Sequence, residues 1–296
     1  MFDIMGCIYS KKKKRMSKGA KHLVPFLDVD VYVTPDDRCS FSGITCIKGG
    51  KIVVADYLGQ KIKFYDWKML KLMDYIELSS PPYEVCLSAL DESEIFVTVP
   101  YDHKILHFKL TEDRMELLRE IRTEGRCYGL SSFRDGLAVS LRIDTHIWQI
   151  EILDYTGAVK KVFKDDTNGR ELFGFADYMT TDIEGSRLYV ADGLHNAVYC
   201  FDLKHSTMIS IKEVYRYTDS HLKIPKGLVL DDSDSLYVVG CESCNVHKIS
   251  NNGDKLGMVL SYRDQLENPM GIGFDHSEKK MFVTEGSRKV MIFKEQ

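Results

Sequence analysis

Between Leu188 and Leu203 the chain reads LYVADGLHNAVYCFDL. Apolar positions alternate along Leu188 and Val190, the pattern breaks at Asp192-Gly193, and it resumes along Val198 and Cys200 with Tyr199 and Phe201 on the opposite side. A period of two interrupted by a short turn-forming pair predicts a β-hairpin. The same pattern recurs at residues 50–66, 94–110, 135–153, 234–250 and 279–294. Amphipathic helical stretches do not recur, which excludes a helical solenoid.

The spacing of the copies indicates the architecture. Val53, Phe96, Ala138, Tyr189, Tyr237 and Phe282 occupy equivalent places, with steps of 43, 42, 51, 48 and 45 residues. One four-stranded propeller blade takes about 40 to 50 residues. The expectation is therefore an all-β, six-bladed β-propeller. The last copy ends at Phe293, leaving its blade one strand short. The apolar run from Val24 to Val33 can supply the missing outer strand, with residues 26–33 pairing against the C-terminal strand and closing the ring.

Composition changes this picture little. In 296 residues, 44% apolar and 11% aromatic, six such units bury a large core and leave little for a second domain. Most of the eight cysteines fall inside predicted strands, and no stretch resembles a secretory leader or a membrane span, so reduced thiols and a cytoplasmic location are expected.

Charge does change it, at the N-terminus. Residues 1–22 carry seven Lys or Arg against one acid, and the rest of the chain carries 33 bases against 43 acids. Residues 1–23 are thus read as a basic, disordered tail and residues 24–296 as the propeller. Within the tail, Met5-Gly6-Cys7-Ile8-Tyr9-Ser10 fits the pattern for N-myristoylation, with four Lys and Arg15 directly behind. This start resembles that of Src-family kinases. A myristoyl chain on Gly6 holds a membrane only marginally, and a second acyl chain on Cys7 or the polybasic run would make the attachment stable. The modification requires translation to begin at Met5, since Met1 to Ile4 precede it. The alternative is a solvated arm.

Each innermost strand is introduced by a short element, clearest at Ile224-Pro225-Lys226-Gly227-Leu228 and Asn268-Pro269-Met270-Gly271-Ile272. Glycine there lets backbones crowd together at the axis, and proline stiffens the approach. With IVVAD (52–56), LYVAD (188–192) and the following V-x-x-F spacing, these elements resemble the NHL repeat. The chain looks most like the C-terminal NHL propeller of invertebrate tripartite-motif (TRIM) proteins. Blades two, three and five depart from the repeat, with Val99, Leu141 and Gly240 where the acid stands elsewhere. TRIM proteins carry a RING, B-boxes and a coiled coil, none of which is in these residues; the RING holds their ubiquitin-ligase chemistry. The resemblance therefore implies the recognition half, a non-catalytic module for a protein or peptide ligand.

Alignment by repeat places Ser42, Tyr83 with Glu84, Tyr128, Asp177, Lys226 and Met270 around the axis. Tyr83, Tyr128, Asp177, Lys226 and Met270 are the candidate partner-binding residues, Tyr and Met giving adaptable apolar contact and the two charges orientation; the alternative is that they plug the channel. Two other classes compete. Some six-bladed propellers are metal-dependent lactonases or arylesterases, but two carboxylates facing a lysine make a poor cage for a hard cation, so neither metal nor cofactor is expected. Some NHL propellers resemble RNA binders, for which Arg122, Arg126, Arg170, Lys223, Arg288 and Lys289 are the candidates, opposed by Asp56, Asp102, Asp144, Asp192, Glu242 and Glu285 in comparable loops. Cys241-x-x-Cys244 with His247 has zinc-like spacing, but the pair straddles a predicted turn and reads as structural. His103, His146 and His195 read as polar turn residues.

Overall fold

The computed structural model of the protein describes residues 23–30, 38–165, 169–207, 210–286 and 289–295. Six four-stranded antiparallel sheets follow one another along the chain. The first comprises β2 (Phe41–Ile47), β3 (Lys51–Asp56), β4 (Lys61–Asp66) and β5 (Lys71–Glu77); the second β6 (Val85–Leu87), β7 (Glu94–Val99), β8 (Lys104–Leu110) and β9 (Met115–Arg122). The third is β10 (Arg126–Phe133), β11 (Gly136–Arg142), β12 (Trp148–Leu153) and β13 (Val159–Phe163). The fourth is β14 (Tyr178–Thr181), β15 (Arg187–Asp192), β16 (Ala197–Asp202) and β17 (Lys212–Thr218). The fifth is β18 (Pro225–Leu230), β19 (Leu236–Gly240), β20 (Asn245–Ile249) and β21 (Lys255–Leu260). The last contains β22 (Pro269–Asp275), β23 (Lys280–Glu285) and β24 (Lys289–Glu295), and its outer strand is β1 (Leu23–Asp30). Each innermost strand contacts the innermost strands of both neighbouring blades, and β2 meets β22 to close the ring. The protein is a six-bladed β-propeller.

All six positions used to measure the repeat lie in the second strand of a blade. Those strands are buried almost throughout, with only the first residue of β3, β7, β15 and β23 and the last of β11 partly exposed. Blades stack face to face, so both faces of a middle strand become core. Outer strands such as β5, β9 and β17 face solvent and are largely exposed.

The closing strand pairs antiparallel with β24, from Leu23 opposite Glu295 to Asp30 opposite Lys289. It includes residues 26–30 of the 26–33 expected and reaches back to Leu23, the last position assigned to the tail; residues 31–33 lie outside the described residues. The register shifts between Pro25 and Leu27. Proline has no N–H for the ladder and sits at this irregularity, so the apolar alternation on either side of it does not report one continuous phase.

Two faces follow from the topology. Innermost strands begin at the upper face, where the hairpins between second and third strands and the links between blades also lie. They end at the lower face, with the remaining turns.

A closed upper end to the axial channel

At the start of the inner strands, glycine stands at Gly43, Gly129, Gly227 and Gly271. A Cβ on Gly227 would lie 2.7 Å from the Met270 carbonyl oxygen, and one on Gly43 2.8 Å from that of Tyr83. Only a residue without a side chain permits this approach. Blades two and four carry Glu84 and Tyr178 at the matching places, and their side chains use the space the glycines leave. Tyr178 reaches across the axis and donates from its hydroxyl to the Ser42 carbonyl oxygen at 2.8 Å.

One residue nearer the upper face, the expected ring is assembled. The Tyr83 hydroxyl donates to Asp177 Oδ2 at 2.5 Å, and the Lys226 ammonium binds the same oxygen. Tyr128 meets the Tyr83 ring edge-on, with centroids 5.0 Å apart. Met270 packs against this cluster, its sulfur 3.7 Å from that of Cys241. Asp177 is 0% and Lys226 8% exposed. Burial raises the Asp177 carboxyl above its ordinary range, against the pull of the Lys226 charge and the hydrogen bonds. Burial likewise lifts the phenols of Tyr83 and Tyr178, with the neighbouring Asp177 and Glu84 carboxyls adding to it. Four of the five candidate binding residues, Tyr83, Tyr128, Asp177 and Lys226, are thus buried. The ring forms the floor of the upper face and closes the channel there.

What the upper face presents to solvent is a second layer that the repeat alignment missed, Tyr57, Tyr101 and Phe175, joined to the buried rings beneath. Tyr57 and Tyr101 join hydroxyl to hydroxyl at 3.1 Å, and burial together with this contact pushes the Tyr57 phenol up to about 12. From there aromatic rings continue without a break: Tyr57 to Tyr83, Tyr83 to Tyr128, Tyr128 to Trp148 and Trp148 to Phe175, at centroid separations of 6.2, 5.0, 5.3 and 5.1 Å. The Lys226 ammonium sits 4.7 Å from the Phe175 ring and the Arg126 guanidinium 4.9 Å from Tyr101. Around this floor Leu58 is 50%, Ile143 38% and Leu194 67% exposed. The clue in the sequence was apolar side chains at hairpin-turn positions, where polar residues are the rule.

The acids set against a nucleic acid are mostly not free. Asp56 is buried in an ion pair with Lys63 at 2.9 Å and accepts the Ser40 and Gly59 backbone N–H groups. Asp192, also fully buried, accepts those of Gly174, Phe175, Leu194 and His195. Glu285 accepts that of Glu267, and Asp102 takes the hydroxyls of Ser79 and Ser80. Each ties a hairpin to the link entering the same blade or its neighbour. Blade five lacks the acid and uses Ser243 Oγ, which accepts the Lys223 N–H at 3.0 Å, with Asn245 donating to the His221 carbonyl oxygen. Asp144 and Glu242 do remain exposed.

The basic candidates are spread over several blades. Arg122 and Arg126 flank the junction of blades two and three, where His103, Arg126, Arg142 and Asp144 line a pocket of about 300 Å³. Arg170 and Lys223 lie in later links and Lys289 opens β24. Arg288, Gly6 and Cys7 fall outside the described residues. Cys241 and Cys244 straddle the β19–β20 turn, while His247 is fully buried beside the Tyr217 hydroxyl at 2.8 Å, so the three do not converge. Among the described residues no three His, Cys, Asp or Glu side chains form a metal-ligand cluster. His195 is held by Asp192, and His103 and His146 lie in turns of the same face. No protein-family model matches this chain, and no curated protein matches it.

Proposed function

We propose that this propeller is a non-catalytic recognition module of NHL type, akin to the TRIM propellers, that binds a protein segment across the aromatic floor of its upper face. The observation that supports this most is the unbroken run of rings from Tyr101 to Phe175, walled by Leu58, Ile143 and Leu194. Tyr57, Tyr101 and Phe175 reach solvent and rest on the buried Tyr83, Tyr128 and Trp148. Exposed aromatics on a rigid base are what interfaces use as anchors, because they lose little conformational freedom on binding. Arg126 and Arg142 at one end favour a ligand with apolar anchors followed by an acidic residue.

Selection from a random-peptide library against the full chain tests this reading. The segments recovered should carry an aromatic or branched apolar residue near an acid. Tyr101→Ala and Leu194→Glu should each weaken binding about 30-fold, corresponding to roughly 2 kcal/mol for an interface anchor. Binding indifferent to both changes would refute the placement. A second reading, single-stranded RNA over the same floor, is favoured by the stacking of Arg126 on Tyr101 and by the inward-turned acids. It predicts steep loss of affinity with salt.

A further inference from the structure

Below the closed upper end the channel is open. A cavity of about 210 Å³ runs between the six inner strands, from Glu84 to His276 at the lower face. Its wall is mixed: Ile44, Leu130, Met179, Leu228 and Ile272, from every blade but the second, are apolar, and Thr45, Ser131, Ser132, Thr180 and Thr181 add hydroxyls between them.

Among the described residues Glu84 is the only Asp, Glu, Lys or Arg lining this cavity. Its carboxyl accepts one hydrogen bond among the described residues, from the Val85 N–H to Oε1 at 3.3 Å. Among the described residues no Lys or Arg pairs with it, and the charged group that acts on it is another acid, Asp177. Burial, then that like charge, raises its carboxyl well above the usual range. Part of its surface remains open, and that surface is cavity wall. Removing a carboxyl from water without a counter-charge is costly, so the group is stored in a form that a cation would relieve.

The turns at the mouth of the channel hold more acids than bases. The six turns between first and second strands, residues 48–50, 88–93, 134–135, 182–186, 231–235 and 276–279, hold nine Asp or Glu against three Lys or Arg, with one His. Six of these acids, Asp91, Glu92, Glu184, Asp231, Asp232 and Glu278, are held in ion pairs with neighbouring Lys, Arg or His side chains. What the mouth offers an incoming cation is therefore a modest excess of negative charge, and Glu84 carries the specific attraction.

We propose that the axial channel is a binding site for a small organic cation, a primary ammonium on an apolar body, that enters from the lower face and pairs with Glu84. Size sets the body: roughly 150 Å³ suffices for benzene, so about 210 Å³ takes a molecule of roughly eight non-hydrogen atoms. On binding, the Glu84 carboxylic acid gives its proton to solvent and the carboxylate so formed accepts from the ammonium. The ligand keeps its charge throughout, and one proton is released per ligand. The site opens at the opposite face from the aromatic floor, and neither reading stands on the other.

Benzylammonium is a suitable probe, with benzyl alcohol as its neutral counterpart of similar size. Calorimetry on the full chain should show benzylammonium binding at least tenfold tighter than benzyl alcohol. Titration in two buffers of different ionisation enthalpy should show close to one proton released. Glu84→Gln keeps the volume and removes the charge; it should lose the tenfold preference and still admit the alcohol. Equal affinity for the two probes in the unaltered protein, or binding without proton release, would overturn the proposal with no variant needed. An unchanged preference in Glu84→Gln would assign the attraction to the acidic mouth alone and would overturn it equally.

Discussion

Asp192 links the stability of the propeller to the shape of its upper face, and replacing it is the most informative single change. Its carboxylate accepts four backbone N–H groups, from Gly174 and Phe175 in the link and from Leu194 and His195 in the hairpin, at 2.8 to 3.2 Å. Asp192→Ala leaves those donors without their acceptor. Hydrogen bonds to a charged group contribute about 1.5–3 kcal/mol each, but Phe175 and Leu194 reach solvent and water can replace part of the loss, so the net cost is about 2–4 kcal/mol. With an unfolding entropy near 2.1 cal/mol/K per residue, a chain of this length loses roughly 1.6 °C per kcal/mol, which gives a fall in Tm of about 3–6 °C. The same change should free Phe175 and Leu194, so the four amides should exchange hydrogen faster than those of β15 and affinity for an upper-face ligand should drop. Asp144→Ala is the control: that exposed carboxylate accepts from Thr145 within its own hairpin, and its loss should cost less than about 0.5 kcal/mol. Differential scanning calorimetry and hydrogen exchange on both variants settle the matter. An Asp192→Ala protein within 1 °C of the parent, or no worse than Asp144→Ala, would refute the reasoning.

Two further predictions concern the frame. Deleting residues 1–33 removes β1, which faces β24 over seven paired positions; at roughly 1 kcal/mol per ladder hydrogen bond the loss is on the order of 5 kcal/mol, and the bare edge of β24 should promote self-association, readable by urea unfolding and light scattering. Burial depresses His247 from its ordinary value to about 4. The unfolded chain therefore takes up a proton that the native state refuses: the contribution is complete above pH about 6.5 and is lost as pH falls toward 4, by about 3 kcal/mol. Urea unfolding from pH 7 to 4 should show that decline, and His247→Gln should flatten it.

Repetition makes the fold legible in the chain itself. Six copies of alternation, turn and alternation at steps near one blade's length leave few alternatives, and each copy reports on its own local geometry. The closing strand was legible as well, because a blade one strand short at the C-terminus and an apolar run at the N-terminus imply each other; the irregularity at Pro25 was not. Alignment by repeat also brought Tyr83, Tyr128, Asp177, Lys226 and Met270 to one place, since equivalent positions in a closed ring must meet at its axis.

What alignment could not supply was depth and direction. Whether a residue at the axis greets a ligand or seals the channel depends on what lies across from it: Tyr178 of blade four reaches Ser42 of blade one, a contact between residues 136 apart in the chain. Asp56 and Asp192 look like surface charges in a turn, yet they point inward because neighbouring links bring N–H donors to them. Glu84 looks like a break in a glycine pattern and becomes an unpaired carboxyl in a cavity only when six strands surround it. Alternation and turn chemistry are properties of adjacent residues and can be read from the chain. The aromatic floor, the sealed upper end and the acidic lower mouth are properties of the ring, formed by side chains from different blades, and tertiary structure alone decided them.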